Sequence, residues 1–359
     1  ALREIKSRYV EPMSDQELTD IAIRAMAGRD RYSAYLPPAE YKTMRAENEG
    51  AFTGLGLRYE PQGEHVRITD TVPGSPAERA GLRAGDLIRA VDQQAVDGQE
   101  MATVKQLLSG PLGAAVSLTV SRDGAPAPFD VSVTREEIKV PSVKHAALGA
   151  VGYIQIMRFD RQTYSGVSTA LRSLRERAGP ELRGFVLDLR HNPGGLVNAS
   201  VKVADAFLEQ GTILTAKGRD PDANRTYTAR AGDEAGGLPV VVLVNGKSAS
   251  AAEILTGALK DHRRAVVIGT RTFGKGIIQS IIPFDGGSAL KLTTARYFTP
   301  SGHSIHEVGI APDETVAMDD AKPAPFPPNA AVDQPLARAL SILTAGPASR
   351  PQRVSLGAR

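Results

Sequence analysis

Five consecutive aliphatic residues, Val240–Val244, are followed by Asn245 and Gly246. A short run that is apolar at every position and ends at turn residues indicates a buried strand. Val151–Ile156 and residues 184–189 are further predicted strands. Helical patterns alternate with these strands at residues 164–177, 197–208 and 251–259. This alternation predicts an α/β core that spans residues 139–316.

The rest of the chain divides by its pattern into three further regions. Residues 1–50 are predicted to be helical, because apolar residues recur at helical spacing and Ser14 forms a capping box with Glu17. Residues 51–138 combine alternating strand patterns with turn signals, which indicates a small β-rich domain. Residues 317–359 are rich in proline and alanine, and an amphipathic segment at 336–343 predicts a short helix there.

Composition and charge exclude several kinds of site. The chain has no cysteine, so it has no thiol nucleophile, no disulfide and no cysteine-ligated metal. It also lacks the His-Glu-x-x-His motif, and we expect neither a metal nor a cofactor. The net charge is only +3 and no run of five basic residues occurs, so we do not expect nucleic acid as a partner. No apolar run is long enough to cross a bilayer.

A serine-containing loop follows the buried strand Val240–Val244. Ser248 and Ser250 precede a helical pattern that begins at about residue 250. Backbone N–H groups at a helix N-terminus point outward with the positive end of the helix dipole, so a serine there can be a nucleophile beside donors for an oxyanion. The simpler interpretation is that one serine caps the helix and Glu253 completes a capping box. This stretch alone favours the cap.

Two glycine-containing stretches are the other candidates. Lys275 lies between two glycines, so no neighbouring side chain crowds its ammonium group. A solvent-exposed lysine in a turn is the simpler interpretation. The predicted strand at 184–189 leads into a turn that contains Gly194 and Gly195. Backbone amides in such a turn can face a ligand, although a turn that needs positive φ explains the glycines equally well.

Two stretches partly match the phosphate-binding loop motif, and the motif is incomplete in both. Gly246-Lys247-Ser248 lacks the required glycine five positions earlier, where Val241 stands. Gly269 and Gly274 have the required spacing, but Gly276 replaces the Ser or Thr that holds magnesium, and the following residues have strand character. A nucleotide-binding α/β protein is therefore a weak alternative. The serine loop also lacks the final glycine of the hydrolase nucleophile elbow.

Six short motifs follow one another along residues 2–316. They are Gly-Leu-Gly-Leu at 54–57, Ala-Gly-Leu-Arg-Ala-Gly-Asp-Leu-Ile at 80–88, Asp-Leu-Arg-His-Asn-Pro-Gly-Gly at 188–195, Ser-Ala-Ser-Ala-Ala-Glu at 248–253, Gly-Lys-Gly at 274–276 with Gln279, and Tyr-Phe-Thr-Pro-Ser-Gly at 297–302. Together they resemble the carboxyl-terminal processing (tail-specific) protease family. The resemblance implies a multidomain α/β fold with N-terminal helices, a PDZ-like β-rich domain and a protease core of the ClpP/crotonase type.

The resemblance implies a role for each matching residue. Ser250 matches the nucleophile, Lys275 the general base and Gln279 the residue that orients the lysine. The oxyanion hole maps to the amide of Ala251 and to the Gly-Gly turn, either Gly194 or Gly195. Burial away from anions lowers the pKa of a lysine, and a neutral glutamine holds the neutral amine where a carboxylate would keep it charged.

A nearby positive charge and an alternative catalytic triad must be considered with the Ser–Lys assignment. Lys247 departs from the family pattern by adding a positive charge beside the serine loop, which favours a neutral Lys275 if the two lysines are close. A Ser-His-Asp triad is the alternative mechanism, because His191 and His303 occur in two of the six motifs.

The resemblance also implies that the domain at 51–138 binds peptides. Its glycine-containing loop would hold a terminal carboxylate through backbone N–H groups, and the following strand would pair with an extended peptide. The loop residues are Gly54, Leu55, Gly56 and Leu57, and the pocket for an apolar terminal side chain would consist of Leu57, Met101, Val104 and Leu108. For the helix residues, an ordinary place in the core is the simpler interpretation.

The predicted function is a serine endopeptidase that recognises protein C-termini through a PDZ domain. The substrates would be proteins or peptides with apolar C-termini, and an adaptor protein, peripheral membrane contact and self-association are compatible with the resemblance. The alternative is a non-enzymatic or partner-dependent PDZ scaffold with a latent protease core, which the intact set of Ser250, Lys275 and Gln279 opposes. Bacterial members of the family are exported, so the periplasm is the expected location, although Ala1 begins no signal peptide.

Overall fold

The computed structural model describes residues 1–318 and 325–345. The described chain divides into two compact units, of which the second is Pro37–Val140 and the first combines Ala1–Leu36 with the described residues after Val140. Parallel strands that alternate with helices in the first unit and a mainly antiparallel second unit confirm the prediction of a multidomain α/β protein. Residues 319–324 and 346–359 of the predicted proline- and alanine-rich tail lie outside the described residues.

The N-terminal region is less uniformly helical than predicted. It contains α1 (Leu2–Arg8), α2 (Asp15–Ala27) and a short strand, β1 (Ala34–Leu36). The predicted capping box is present at the start of α2, where the Ser14 N–H donates to Glu17. The strand forms because Pro37 disfavours helical geometry at the residue before it and because β1 pairs with residues 289–291, a distant segment that local pattern does not reveal.

The second unit is a small antiparallel structure with its own core. Its elements are α3 (Pro38–Asn48), β2 (Ala51–Gly54), β3 (Leu57–Gln62), β4 (His65–Thr71), α4 (Pro76–Arg79), β5 (Leu87–Val91), β6 (Gln94–Ala95), α5 (Met101–Leu108), β7 (Ala115–Ser121), β8 (Phe129–Thr134) and β9 (Glu136–Lys139). The strands β3-β4-β5-β7-β8 form one sheet with β6 beside β5, and β2 pairs with β9. Alternate residues of β7 are buried, as expected for a sheet with one face on the core.

The remaining elements belong to the first unit. They are β10 (Val143–Leu148), β11 (Val151–Ile156), α6 (Thr163–Ala178), β12 (Gly184–Asp188), α7 (Val197–Asp205), β13 (Thr212–Gly218), β14 (Arg225–Thr228), β15 (Val240–Val244), α8 (Ala251–Asp261), β16 (Ala265–Gly269), β17 (Ile277–Pro283), β18 (Ala289–Phe298), β19 (Glu314–Thr315) and α9 (Gln334–Thr344). One sheet has the order β10-β11-β12-β15-β16-β19, with β11 onward parallel. The other has the order β1-β18-β13-β14, with β17 beside β18.

Helices cover both faces of the mainly parallel sheet. Val240, Val242 and Val244 point to the face that α6, α7 and α8 cover, whereas Val241 and Leu243 belong to the cluster that contains buried residues of α9. This alternation explains why β15 is apolar at every position. Among the helices of the described residues, none has both the length and the hydropathy needed to cross a membrane.

Candidate active site

The carboxyl ends of three neighbouring strands form the candidate site. Because β12, β15 and β16 run parallel and pair in that order, the loops that follow them leave the same edge of the sheet. These loops are the Gly-Gly turn at 190–196, the serine loop at 245–250 and the segment at 270–276 that contains Lys275, which we call the lysine stretch. Ala249 N of the serine loop donates to Asn192 O of the Gly-Gly turn at 2.9 Å. Phe273 N of the lysine stretch donates to Ser248 O of the serine loop at 3.0 Å.

The two serines of the serine loop have different environments. Ser248 is fully buried, and its Oγ donates to Leu189 O at 2.8 Å and accepts from Asn245 N at 2.9 Å. Ser250 is only half-buried and directly precedes α8, with φ of 56° and ψ of −113°. A positive φ is uncommon for a non-glycine residue, and such strained positions cluster at functional sites. The geometry therefore favours Ser250 as the reactive serine and gives Ser248 a structural role.

A buried carboxylate joins the serine loop to the lysine stretch. Glu253 is fully buried and accepts four hydrogen bonds, from Ser250 N at 2.8 Å, Lys275 N at 2.9 Å, Gly274 N at 2.7 Å and Thr272 Oγ1 at 2.5 Å. Burial raises the pKa of Glu253, and the four donors only partly offset that effect. The capping-box contact that the sequence predicted is thus one part of a larger set of hydrogen bonds.

The importance of Glu253 was detectable in the sequence but was missed. Every residue from Ala251 to Leu259 of α8 is buried, so the helix has no solvent-facing side in that part. A carboxylate in a fully buried helix segment must find several donors, since an unpaired buried charge is very costly. The apolar surroundings of Glu253 in the sequence are the signal that points beyond a helix cap.

Lys275 and Gln279 are in direct contact. Lys275 Nζ donates to Gln279 Oε1 at 3.0 Å, and Gln279 Nε2 donates in turn to the backbone carbonyl of Tyr32. The Tyr32 ring also faces the lysine, with its centroid 4.9 Å from Nζ. Tyr32 therefore lines the site, although it precedes the other residues by more than two hundred positions and sequence reasoning did not identify it. The structure shows no hydrogen bond between Lys275 Nζ and Ser250 Oγ.

The environment of Lys275 lowers the pKa of its amine. Burial is the largest cause, and the positive charge of Lys291 on β18 adds to it, while Asp30 opposes both. Lys247, which the sequence suggested as the neighbouring cation, has an exposed side chain and is not among these causes. The expected electrostatic effect is therefore present, but a different lysine produces it.

The glycines beside Lys275 permit close packing of the backbone. A Cβ at Gly276 would lie 2.6 Å from His306 N, and one at Gly274 would lie 2.9 Å from Gly309 N. The residues after Gly276 form the strand β17, whereas a phosphate-binding loop requires a helix there. The nucleotide-binding alternative therefore loses its remaining support.

The Gly-Gly turn approaches Ser250 closely. A Cβ at Gly194 would lie 2.8 Å from Ser250 Cβ and 3.0 Å from Ala251 N. The Gly194 N–H is already engaged, since it donates to Asn192 Oδ1 at 2.8 Å. Among the described residues, the N–H groups of Gly195 and Ala251 donate no hydrogen bond. Two backbone donors are thus available, one on the residue after Ser250 and one on the residue after the glycine that approaches Ser250.

One hydrogen bond of each histidine considered for a triad joins it to a residue other than Ser250. His303 Nδ1 and Ser301 Oγ are 2.8 Å apart within one loop, and the backbone N–H of His191 donates to Asn245 Oδ1 of the serine loop at 2.9 Å. Lys275, by contrast, shares the acceptor Glu253 with Ser250 through the backbone. The geometry favours the lysine as the acid–base group.

The predicted peptide-binding residues lie within the second unit. Leu57 and Met101 are half-buried, whereas the predicted pocket residues Val104 and Leu108 are buried in the core together with Leu55. Gly56 has φ of 80°, and a Cβ there would collide with Ser75, so this glycine is needed for packing as well. Within the described part of the chain, the N–H groups of Leu55 and Gly56 donate no hydrogen bond, which leaves both free for a ligand, as they would be in a carboxylate-binding loop.

Family models match both units. Residues 150–316 match the model for peptidase family S41, and residues 67–122 match the model for a PDZ domain. The S41 match contains Ser250, Lys275 and Gln279. The PDZ match contains α5, but it begins after the loop at 54–57.

Individual relatives extend the similarity to most of the chain. The carboxy-terminal-processing protease of Bartonella bacilliformis is 40% identical over 314 residues, which cover 87% of this chain and 72% of that protein. A probable CtpA-like serine protease of Staphylococcus aureus is 37% identical, and the match covers 62% of its length. The structure of the photosystem II D1 C-terminal processing protease aligns with a TM-score of 0.55 and 32% identity, covering 96% of this chain and 90% of the other.

Proposed function

The chain belongs to peptidase family S41 and carries a PDZ domain, and we propose that it is a serine endopeptidase that recognises protein C-termini and cleaves with Ser250 as nucleophile. One observation supports this assignment more than any other. A single buried carboxylate, Glu253, holds the backbone of Ser250 and the backbone of Lys275 in one arrangement. The nucleophile and its base would therefore be positioned together.

In the proposed first step, Lys275 acts as a neutral amine. Ser250 Oγ attacks the peptide carbonyl while its proton passes to Lys275 Nζ, which forms an ammonium ion. The lowered pKa of Lys275 increases the fraction of amine that can accept this proton. Gln279 accepts from Nζ in either protonation state and is itself held by the Tyr32 carbonyl, so it would orient the lysine throughout.

The second step would release the amine product and then resolve the acyl-enzyme. The Lys275 ammonium returns its proton to the leaving nitrogen as the peptide C–N bond breaks. A water molecule then attacks the ester carbon, its proton passes to Lys275 Nζ, and the lysine reprotonates Ser250 Oγ as the acid product leaves. One peptide bond and one water molecule are consumed in each cycle, and the enzyme returns to its starting state.

We assign the oxyanion hole to the N–H groups of Ala251 and Gly195. Both groups lack an acceptor among the described residues, whereas the Gly194 N–H donates to Asn192. The negative charge on the tetrahedral intermediate would also lie near the N-terminus of α8, where the helix dipole favours it. Gly194 serves instead to allow the close approach of the turn to Ser250.

Substrate recognition would combine the PDZ loop with an apolar pocket. The N–H groups of Leu55 and Gly56 are available for a terminal carboxylate. The side chains of Leu57, which directly follows this loop, and of Met101, which begins α5, are partly exposed and would form the pocket. Proteins with an apolar C-terminal residue are therefore the proposed substrates.

The function can be tested by comparing the cleavage of two versions of an unstructured protein that differ only in their C-terminal residues. We expect a casein fusion that ends in Ala-Ala to be cut with a kcat/KM about 10- to 100-fold higher than the same fusion ending in Asp-Asp, because the pocket would bury the apolar side chain. Met101→Asp should reduce this preference mainly through KM, while Ser250→Ala should remove cleavage of both. Equal cleavage of the two fusions would contradict C-terminal recognition. Binding without cleavage by the wild type would support the scaffold alternative.

A further inference from the structure

The helix α9 carries an acidic residue that reaches the active-site edge of the sheet. Asp333 is the N-cap of α9, and its Oδ1 accepts from Leu336 N at 3.1 Å. Its Oδ1 also accepts from Arg190 Nη1, and its Oδ2 accepts from Arg190 Nη2, each at 2.8 Å. Asp333 lies after the segment that matches the S41 model, which ends at residue 316. Two parallel hydrogen bonds between a planar guanidinium and a carboxylate fix both the distance between Arg190 and Asp333 and the orientation of the Arg190 side chain.

The partner of Asp333 is part of a buried ionic cluster. Arg190 Nε donates to both oxygens of Asp188 at 2.9 and 3.0 Å, and Tyr153 Oη donates to Asp188 Oδ2 at 2.6 Å. The side chains of Arg190, Asp188 and Asp333 are exposed by only 5%, 1% and 8%. Burial by itself lowers the pKa of Arg190, but the two carboxylates raise it further than burial lowers it, so the guanidinium stays charged.

The cluster lies at the start of the turn that supplies the oxyanion donor. Asp188 ends β12, and Arg190 begins the turn that continues through Asn192 to Gly195. Further along the turn, Asn192 Nδ2 donates to Ile156 O at 2.7 Å and its backbone carbonyl accepts from Ala249 N at 2.9 Å. A shift of Arg190 would therefore displace the first residues of a turn whose later residues contact the serine loop.

The packing of α9 gives Asp333 a rigid support. Leu336, Ala339 and Leu343 are buried in one cluster with residues of β12, β15 and β16. The helix is thus fixed to the same strands whose carboxyl ends carry the site. Without the Asp333 carboxylate, Arg190 would keep its ion pair with Asp188 but would lose the two-point acceptor of Nη1 and Nη2, so the buried guanidinium and the backbone that bears it would rearrange.

We infer that Asp333 is a positioning residue for the protease reaction, which acts through Arg190 to hold the Gly194-Gly195 turn at the distance that the oxyanion requires. This role rests on the proposed function, since it concerns the oxyanion donor of that mechanism. The segment that contains Asp333, which follows the S41 match, would therefore contribute to catalysis. Asp333 itself would contact no reacting atom.

Asp333→Asn tests the inference without removing the helix cap, because asparagine caps helices as well as aspartate does. We expect kcat for labelled casein to fall about 10- to 100-fold with KM unchanged, since the substrate-binding groups stay in place while the oxyanion donor moves. Amide hydrogen exchange in residues 190–196 should become faster in the same variant. Leu343→Ala is the matched control: it should lower the Tm by loosening α9 while leaving kcat near the wild-type value.

Three results separate this inference from the proposed function. A wild-type kcat in Asp333→Asn would overturn the inference, and so would an equal loss of kcat in Leu343→Ala at a temperature where both variants are folded. If Ser250→Ala kept full activity, the proposed mechanism would fail. In that case the exchange rates of residues 190–196 would still decide whether Asp333 holds the turn.

Discussion

Replacing Lys275 by methionine is expected to abolish proteolysis while leaving the fold at least as stable as the wild type. Without an adjacent base, the Ser250 hydroxyl is a weak nucleophile, and kcat should fall by at least about 10⁴-fold. Ser250→Ala should cause a similar loss. The double variant should be no worse than either single variant, because residues that act as a unit are not additive.

The expected effect of Lys275→Met on stability follows from the direction of its pKa shift. Folding lowers the pKa of Lys275, so the folded state disfavours the ammonium form. This cost is fully present at pH values below the lowered pKa and disappears only as the pH rises past the ordinary lysine value. Methionine carries no charge and avoids the cost, so the Tm at neutral pH should not decrease. A large drop in Tm would indicate that Lys275 has a structural role instead.

Glu253→Ala is expected to abolish activity and to reduce stability more than any other single change discussed. It leaves the buried donors Ser250 N, Gly274 N, Lys275 N and Thr272 Oγ1 without their acceptor. Each unsatisfied buried group costs about 1–3 kcal/mol, so the total loss should be several kcal/mol unless water enters. Activity should be lost even at low temperature, because the serine loop and the lysine stretch would no longer be joined.

The chain offers a matched control for Glu253. Glu17 occupies the equivalent position in the capping box of α2, where it accepts from Ser14 N at 2.7 Å, but its surroundings are exposed. Glu17→Ala should leave activity unchanged and the Tm close to that of the wild type. Thermal unfolding and casein cleavage of the two variants would test this comparison. Similar losses for both would show that Glu253 contributes only a helix cap.

The strand-end motifs could be predicted because their signals are local. The apolar run Val240–Val244, its turn residues and the following helix all lie within one short segment, and the structure reproduces these elements. Parallel pairing then brings the loops after β12, β15 and β16 to one edge, as the α/β pattern implies. Sequence also identified Lys275 and Gln279, which the structure brings into contact at 3.0 Å.

The parts that sequence reasoning missed depend on contacts between distant segments. Tyr32 lines the site because β1 pairs with β18, and three strand residues next to a proline gave no local sign of that pairing. Lys291 rather than Lys247 supplies the neighbouring positive charge, because β18 carries it towards the lysine. Asp333 follows a proline-rich segment whose pattern suggested a linker. Periodicity reports which face of an element is apolar, but not which remote segment packs there.

The central claim is that Lys275 activates Ser250 as a neutral amine. The most direct test measures the rate at which a fluorophosphonate probe modifies the protein across pH, with the modified residue located by mass spectrometry. We expect modification of Ser250 that increases with pH through a single ionisation below the ordinary lysine pKa and that is nearly absent in Lys275→Met. An unchanged rate in Lys275→Met, or modification of another serine in the wild type, would contradict it.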